Sequence, residues 1–139
     1  MGHRRKAREI ALQVLYQIDV SQIDVDEAIE LFQDNFGMPQ ESVEFSTQLI
    51  RCTREHITEI DDLIKTCSEH WSLERMSTVD KNILRMAVYE FLYCDDIPPK
   101  VTLNEAIDIG KHYGSDNSGS FINGILDAMY SKLWAKNED

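Results

Sequence analysis

The sequence predicts an all-α protein, a bundle of six or seven helices. Three observations predict it. Apolar residues recur at steps of three and four through most of the 139 residues, and no stretch alternates as a strand. The breaks between periodic stretches carry helix stop and start residues.

The first helix covers Lys6 to Val20, where Ala7, Ile10, Ala11, Val14, Leu15 and Ile18 form one broad apolar stripe. A second amphipathic segment, Asp26 to Phe36, stops at Gly37-Met38-Pro39. Residues 42–71 follow with Ile50, Thr53, Ile57, Ile60, Ile64, Cys67 and Trp71 along one seam. That spacing predicts one long helix or two nearly collinear ones. Ser77-Thr-Val-Asp80 has the form of a capping box and opens a helix to about Cys94, burying Ile83, Leu84, Ala87, Val88, Phe91 and Leu92. Asp95-Asp-Ile-Pro-Pro99 ends it. Thr102-Leu-Asn-Glu105 reads as a full capping box for the next helix, which runs to Tyr113 with Gly114 as a left-handed C-cap. The last helix carries Phe121, Ile122, Ile125, Leu126, Met129, Leu133 and Trp134. No repeat and no low-complexity linker divides the chain, so residues 1–139 read as a single domain.

Composition narrows the class. With 42% apolar and 28% charged residues, the chain reads as ordinary globular material. Apolar runs of a few residues exclude a membrane span, and the basic N-terminal stretch lacks the apolar core of a secretory signal. Cys52, Cys67 and Cys94 are odd in number and lack CxxC spacing, as expected of reduced thiols in a cytoplasmic protein.

Net charge is −11, yet its distribution says more than its sum. Arg4, Arg5, Lys6 and Arg8 precede the first acid, leaving ten cations against 25 acids over residues 9–139. A basic cluster on an acidic body suggests two different partners.

Catalytic patterns are missing. His3, His56, His70 and His112 are scattered, with no HExxH and no Cys/His metal spacing, so neither a metal site nor a cofactor is expected. Gly114-SDNS-Gly119-Ser120 has GxxxxG spacing but lacks the lysine of a phosphate loop, and helix rather than strand precedes it. Recognition features do better. Lys6, Glu9, Gln13 and Tyr16 fall on one face of the first helix, beside the apolar stripe. Arginines with a neighbouring Gln and Tyr suit phosphate contact and stacking with single-stranded bases. Packing accounts equally well for Tyr16, and likewise for Phe121, which sits at helical spacing from Ile125; Asn123 also suits a helix start.

Three stretches together resemble the NusB family: RRKAREIALQVLYQID (Arg4–Asp19), VDKNILRMAVYE (Val79–Glu90) and PPKVTLNEAIDIGKHYGSDNSGSFINGILD (Pro98–Asp127). The resemblance covers the chain. It implies an all-helical fold of about seven helices in two small helical subdomains, and a non-enzymatic role in transcription antitermination. The implied partners are the boxA single-stranded RNA of ribosomal RNA operons, the small-subunit ribosomal protein NusE, and an antitermination complex on RNA polymerase. Carried over residue by residue, the implied RNA surface comprises Arg4, Arg5, Lys6, Arg8, Gln13 and Tyr16 with Ser118, Phe121 and Asn123. The implied NusE surface includes Glu74, Asp80 and Arg85, whose acids suit a basic ribosomal protein. One departure stands out: members of the family often carry a basic residue just before the Phe, where this chain has Gly119-Ser120. That shifts electrostatic work onto residues 4–8 and Lys111. A homodimer hiding the arginine-rich face is a further association that the apolar last helix admits.

Overall fold

Among residues 2–134, which the computed structural model describes, there are seven α-helices and no strand. In chain order they are α1 (Gly2–Ser21), α2 (Val25–Asn35), α3 (Gln40–Glu55), α4 (Ile57–Cys67), α5 (Thr78–Tyr93), α6 (Pro99–Tyr113) and α7 (Ser118–Leu133). A single 3-10 turn, Leu73–Arg75, precedes α5. The chain divides after His56 into two compact units, each with its own helical core.

In the first unit α1 packs chiefly on α3, with α2 against both. The predicted stripe of α1 is buried throughout, and Leu12 widens it. Small hydroxyl residues on α3 let the two helices meet: Ser46 Oγ donates to Ala7 O (3.2 Å) and Ser42 Oγ to His3 O (3.3 Å). Asp24 caps α2 by accepting the Asp26 N–H at 3.1 Å. Gly37, at φ +74°, takes the left-handed turn beyond its end.

The seam over residues 42–71 resolves into two helices. The break falls at His56, whose N–H still bonds to Cys52 O (3.0 Å) while its φ of −102° and ψ of 22° leave the helical region. Because α4 ends at Cys67, Trp71 lies beyond the helix rather than on its seam.

The second unit is built on α5, which packs against α4, α6 and α7. Ile83, Leu84, Ala87, Val88 and Phe91 are buried as predicted, and Leu92 is half-buried. Burial extends around the whole helix from Asn82 to Phe91, and its polar residues are therefore paired. Arg85 donates from Nε and Nη2 to the two carboxylate oxygens of Asp61, at 2.8 and 2.9 Å. Glu90 Oε1 accepts from Thr102 Oγ1 at 2.8 Å.

That last bond corrects one expectation. Thr102 is not an N-cap: α6 begins at Pro99 after an extended Pro98, and Thr102 lies inside the helix. Proline suits the first helical position because its fixed φ is already helical and it has no N–H to satisfy. The Thr102 hydroxyl is thereby free to serve the buried Glu90. Gly114 does end α6, but at φ −96° and ψ −161° it is not left-handed. Its requirement for glycine is steric. A Cβ there would lie 2.6 Å from Ser118 Cβ and 2.8 Å from Gly110 O.

Helix α7 starts at Ser118, so Asn123 sits exposed within the helix and not at its start. Ile122, Ile125, Leu126 and Met129 are buried in the second unit, and Trp134 meets Phe91 edge-on at 5.1 Å. The apolar residues of α7 are thus largely engaged within that unit.

Candidate nucleic-acid interface

Each unit carries part of the predicted recognition surface. On α1, Arg4 and Lys6 are exposed and Arg5 half-buried, whereas Arg8 is only 4% exposed. The reason lies on α3. Phe45 presents its ring to two guanidiniums one turn apart, Arg4 at 4.6 Å and Arg8 at 5.4 Å from the centroid. Arg8 therefore anchors the cluster, leaving Arg4, Arg5 and Lys6 nearer solvent. Gln13 and Tyr16 are exposed further along α1, Tyr16 at 41%, and packing does not consume that ring.

The first turn of α1 contains no acid, and four cations crowd the end of a helix whose dipole already favours anions. That end of the helix suits an anionic ligand.

In the second unit, a short turn over Gly114–Asn117 joins α6 to α7. Ser118 is 1% exposed, and its Oγ accepts the Ser115 N–H at 2.9 Å. It shapes the turn from within and offers no surface. A Cβ on Gly119 would come within 2.9 Å of Lys111 Cγ and 3.1 Å of its Cε, so the lysine stem lies along the glycine backbone. The chain thus brings a basic side chain beside Gly119-Ser120 from the preceding helix. Phe121 is half-buried and meets Trp71 edge-to-face, with centroids 6.3 Å apart.

Those rings form one wall of a cleft of about 500 Å³, which Arg75, Asp80, Asn117 and Ser120 also line. Ser77 Oγ accepts the Asp80 N–H at 3.0 Å, the predicted half of the capping box. The return half is not made through Asp80 Oδ1, which is buried without a hydrogen-bond partner. Of the residues expected to face a protein partner, Glu74 is exposed, Asp80 is 8% exposed and Arg85 is committed to Asp61.

Three residues here escaped the sequence reading. Trp71 was assigned to a helical seam, Arg75 stood outside every motif, and nothing near Phe45 pointed to the arginines of another helix. Among the described residues no group of three or more His, Cys, Asp or Glu side chains is arranged to hold a metal ion, and no helix is long and apolar enough to cross a membrane.

The sequence profile of the NusB family matches residues 5–131. The chain belongs to the NusB family. Transcription antitermination protein NusB of Syntrophus aciditrophicus is 58% identical over the whole of this chain and 86% of its own length. That of Desulfatibacillum aliphaticivorans is 48% identical over 96% of this chain and 93% of its own. Among solved structures, T. maritima NusB matches with a TM-score of 0.85 at 41% identity, covering 97% of this chain and 94% of that one. A crystal structure of the antitermination factors NusB and NusE in complex with double-stranded RNA matches with a TM-score of 0.84 at 29% identity. It covers 96% of this chain and 99% of the solved one.

Proposed function

We propose that this NusB-family protein is an RNA-binding adaptor in transcription antitermination. In this reading it binds the boxA element of ribosomal RNA leader transcripts together with NusE, within a cytoplasmic antitermination complex on RNA polymerase. It acts by binding, not by catalysis. The observation that carries the reading is the likeness of nearly the whole of this chain to one chain of a solved structure of NusB and NusE with double-stranded RNA. The cation cluster at the start of α1 supports it, because a helix N-terminus without an acidic first turn suits a polyanion.

Within this proposal Arg4, Arg5 and Lys6 contact phosphates, and Gln13 and Tyr16 extend the contact along α1. The second unit contributes Lys111, Phe121 and Asn123. Arg8 and Ser118 act indirectly, the first through Phe45 and the second by setting the turn. Glu74 meets the basic ribosomal partner, Asp80 lies at the same end of α5, and Arg85 keeps that helix in place through Asp61.

Fluorescence anisotropy with a boxA strand and a scrambled strand, each with and without NusE, tests this across a salt series. With about three phosphates engaged, log K against log salt should slope near −2 for single-stranded RNA. Replacing Arg4, Arg5 and Lys6 together by Ala should flatten that slope, and an unchanged slope would refute the assignment. A duplex arm in the same series compares strandedness. Equal affinity for boxA and scrambled RNA, with NusE bound normally, would leave a protein-interaction module built on the acidic body.

A further inference from the structure

Three glycines lie where α6 turns into α7, and the space beside each is filled differently. A Cβ on Gly110 would come within 2.5 Å of Ile122 Cδ1, and one on Gly114 within 2.8 Å of Gly110 O. Those two positions are closed by a buried side chain and by backbone. At Gly119 the three atoms nearest a Cβ all belong to Lys111: Cγ at 2.9 Å, Cε at 3.1 Å and Cδ at 3.6 Å. The lysine stem therefore runs across the glycine, and its amine, one bond beyond Cε, is held beside the first turn of α7. Gly119 is buried while Lys111 is exposed, as when methylenes cover backbone and the charge stays in water.

Nothing in the backbone asks for glycine at 119. Its φ is not positive, and it lies inside α7, where alanine is the better helix former. What the missing side chain provides is room, and the lysine stem fills that room.

Charge gives the contact its use. No Lys or Arg lies between Lys111 and Lys132, so the start of α7, with Phe121 and Asn123, carries no cation of its own. Arg75 comes near it only through the cleft. Lys111 has no ion pair among the described residues, which leaves its amine to a ligand. Ordering a free lysine on binding opposes affinity through lost rotamer freedom. A stem already laid along Gly119 has given up part of that freedom beforehand.

We propose that Gly119 is a positioning residue for RNA binding: its bare backbone seats the Lys111 stem and so aims the amine at an RNA phosphate beside the start of α7. This rests on the RNA-binding reading above and adds to it the residue that sets the second unit's cation.

The test titrates the full-length protein, Gly119→Ala, Lys111→Ala and the double variant against fluorescein-labelled boxA and scrambled strands across a salt series. A methyl group at 119 meets a flexible side chain, so the lysine moves and the fold stays. The melting temperature of Gly119→Ala should hold or rise. Its boxA affinity should nevertheless fall about threefold to tenfold, the scale of a single phosphate contact. A glycine that serves the fold alone would not separate stability from affinity in this way. Lys111→Ala should lose as much and flatten the salt slope by about 0.7. The double variant should bind no more weakly than Lys111→Ala, because without the lysine there is nothing to seat. In the RNA-free protein, nuclear Overhauser contacts between the Lys111 methylenes and the Gly119 α-protons report the seating itself.

Absence of those contacts overturns the proposal, as does a lowered melting temperature in Gly119→Ala, which would mean that backbone yields instead of lysine. Parental affinity in either single variant overturns it while leaving RNA binding in place. Additive losses in the double variant also overturn it, and place the strand against the glycine backbone. Failure of the parent protein to bind either strand at low salt overturns the RNA reading and this proposal together.

Discussion

Arg85 shows how a charged residue on a central helix becomes structural. Its guanidinium is held by both oxygens of Asp61, and each partner is largely shielded from water. Removing the cation strands the carboxylate, which is worse than removing both. Arg85→Ala should therefore cost about 3 kcal/mol in urea unfolding, while Arg85→Ala with Asp61→Leu should recover part of that loss. A double variant no better than the single one would mean the pair is not the source of the effect. Sequence reading saw Arg85 only as a residue matching a family surface, because a lone Arg in an apolar run does not reveal a partner on another helix. Asp80 was equally opaque: the motif identified its backbone role but not the unpaired oxygen behind it.

At the scale of elements, periodic stretches were legible and their joints were not. The stripe of α1 and the core face of α5 followed from spacing, since apolar positions at three- and four-residue steps can only face one side. The break at His56 left no such mark. Apolar spacing continues through it with no Gly or Pro, and only backbone dihedrals reveal it. Thr102-Leu-Asn-Glu105 misled in the opposite sense, matching a capping box while Pro99 had already started α6. The α1–α3 pairing adds a testable dependence. Phe45→Leu keeps an apolar side chain but removes the ring under Arg4 and Arg8, so thermal unfolding should report a loss of about 1–2 kcal/mol. RNA affinity should fall a few-fold with the salt slope retained, as the cations remain but lose their support. An unaltered melting temperature and affinity would mean that the ring is only a neighbour.

For the molecule as a whole, charge and apolar surface point to separate kinds of association. The chain is strongly acidic apart from its first residues, a distribution that opposes self-association at low salt. The sequence admitted a homodimer through the aromatic and Met content of α7, but Met129, Ile125 and Leu126 are buried and Trp134 packs on Phe91. Light scattering should accordingly give the 16.1 kDa monomer without RNA, and one protein copy plus the mass of the strand with it. Twice that mass in the RNA-free sample, falling on RNA addition, would instead support a dimer that hides the arginines. The overall class and the basic cluster were readable because composition and periodicity are properties of the whole chain. Which cations stay exposed was not readable, because Arg8 is buried where a ring from a different helix lies against it.

The envelopment of α5 has a kinetic consequence. A helix shielded on every side by α4, α6 and α7 should retain its amide protons longest in deuterated solvent, exchanging only when the second unit opens fully. Asp80 belongs to the first turn of that helix, where Ser77 caps it. The enveloped stretch begins two residues later, at Asn82, so this first turn should exchange sooner than the middle of the helix.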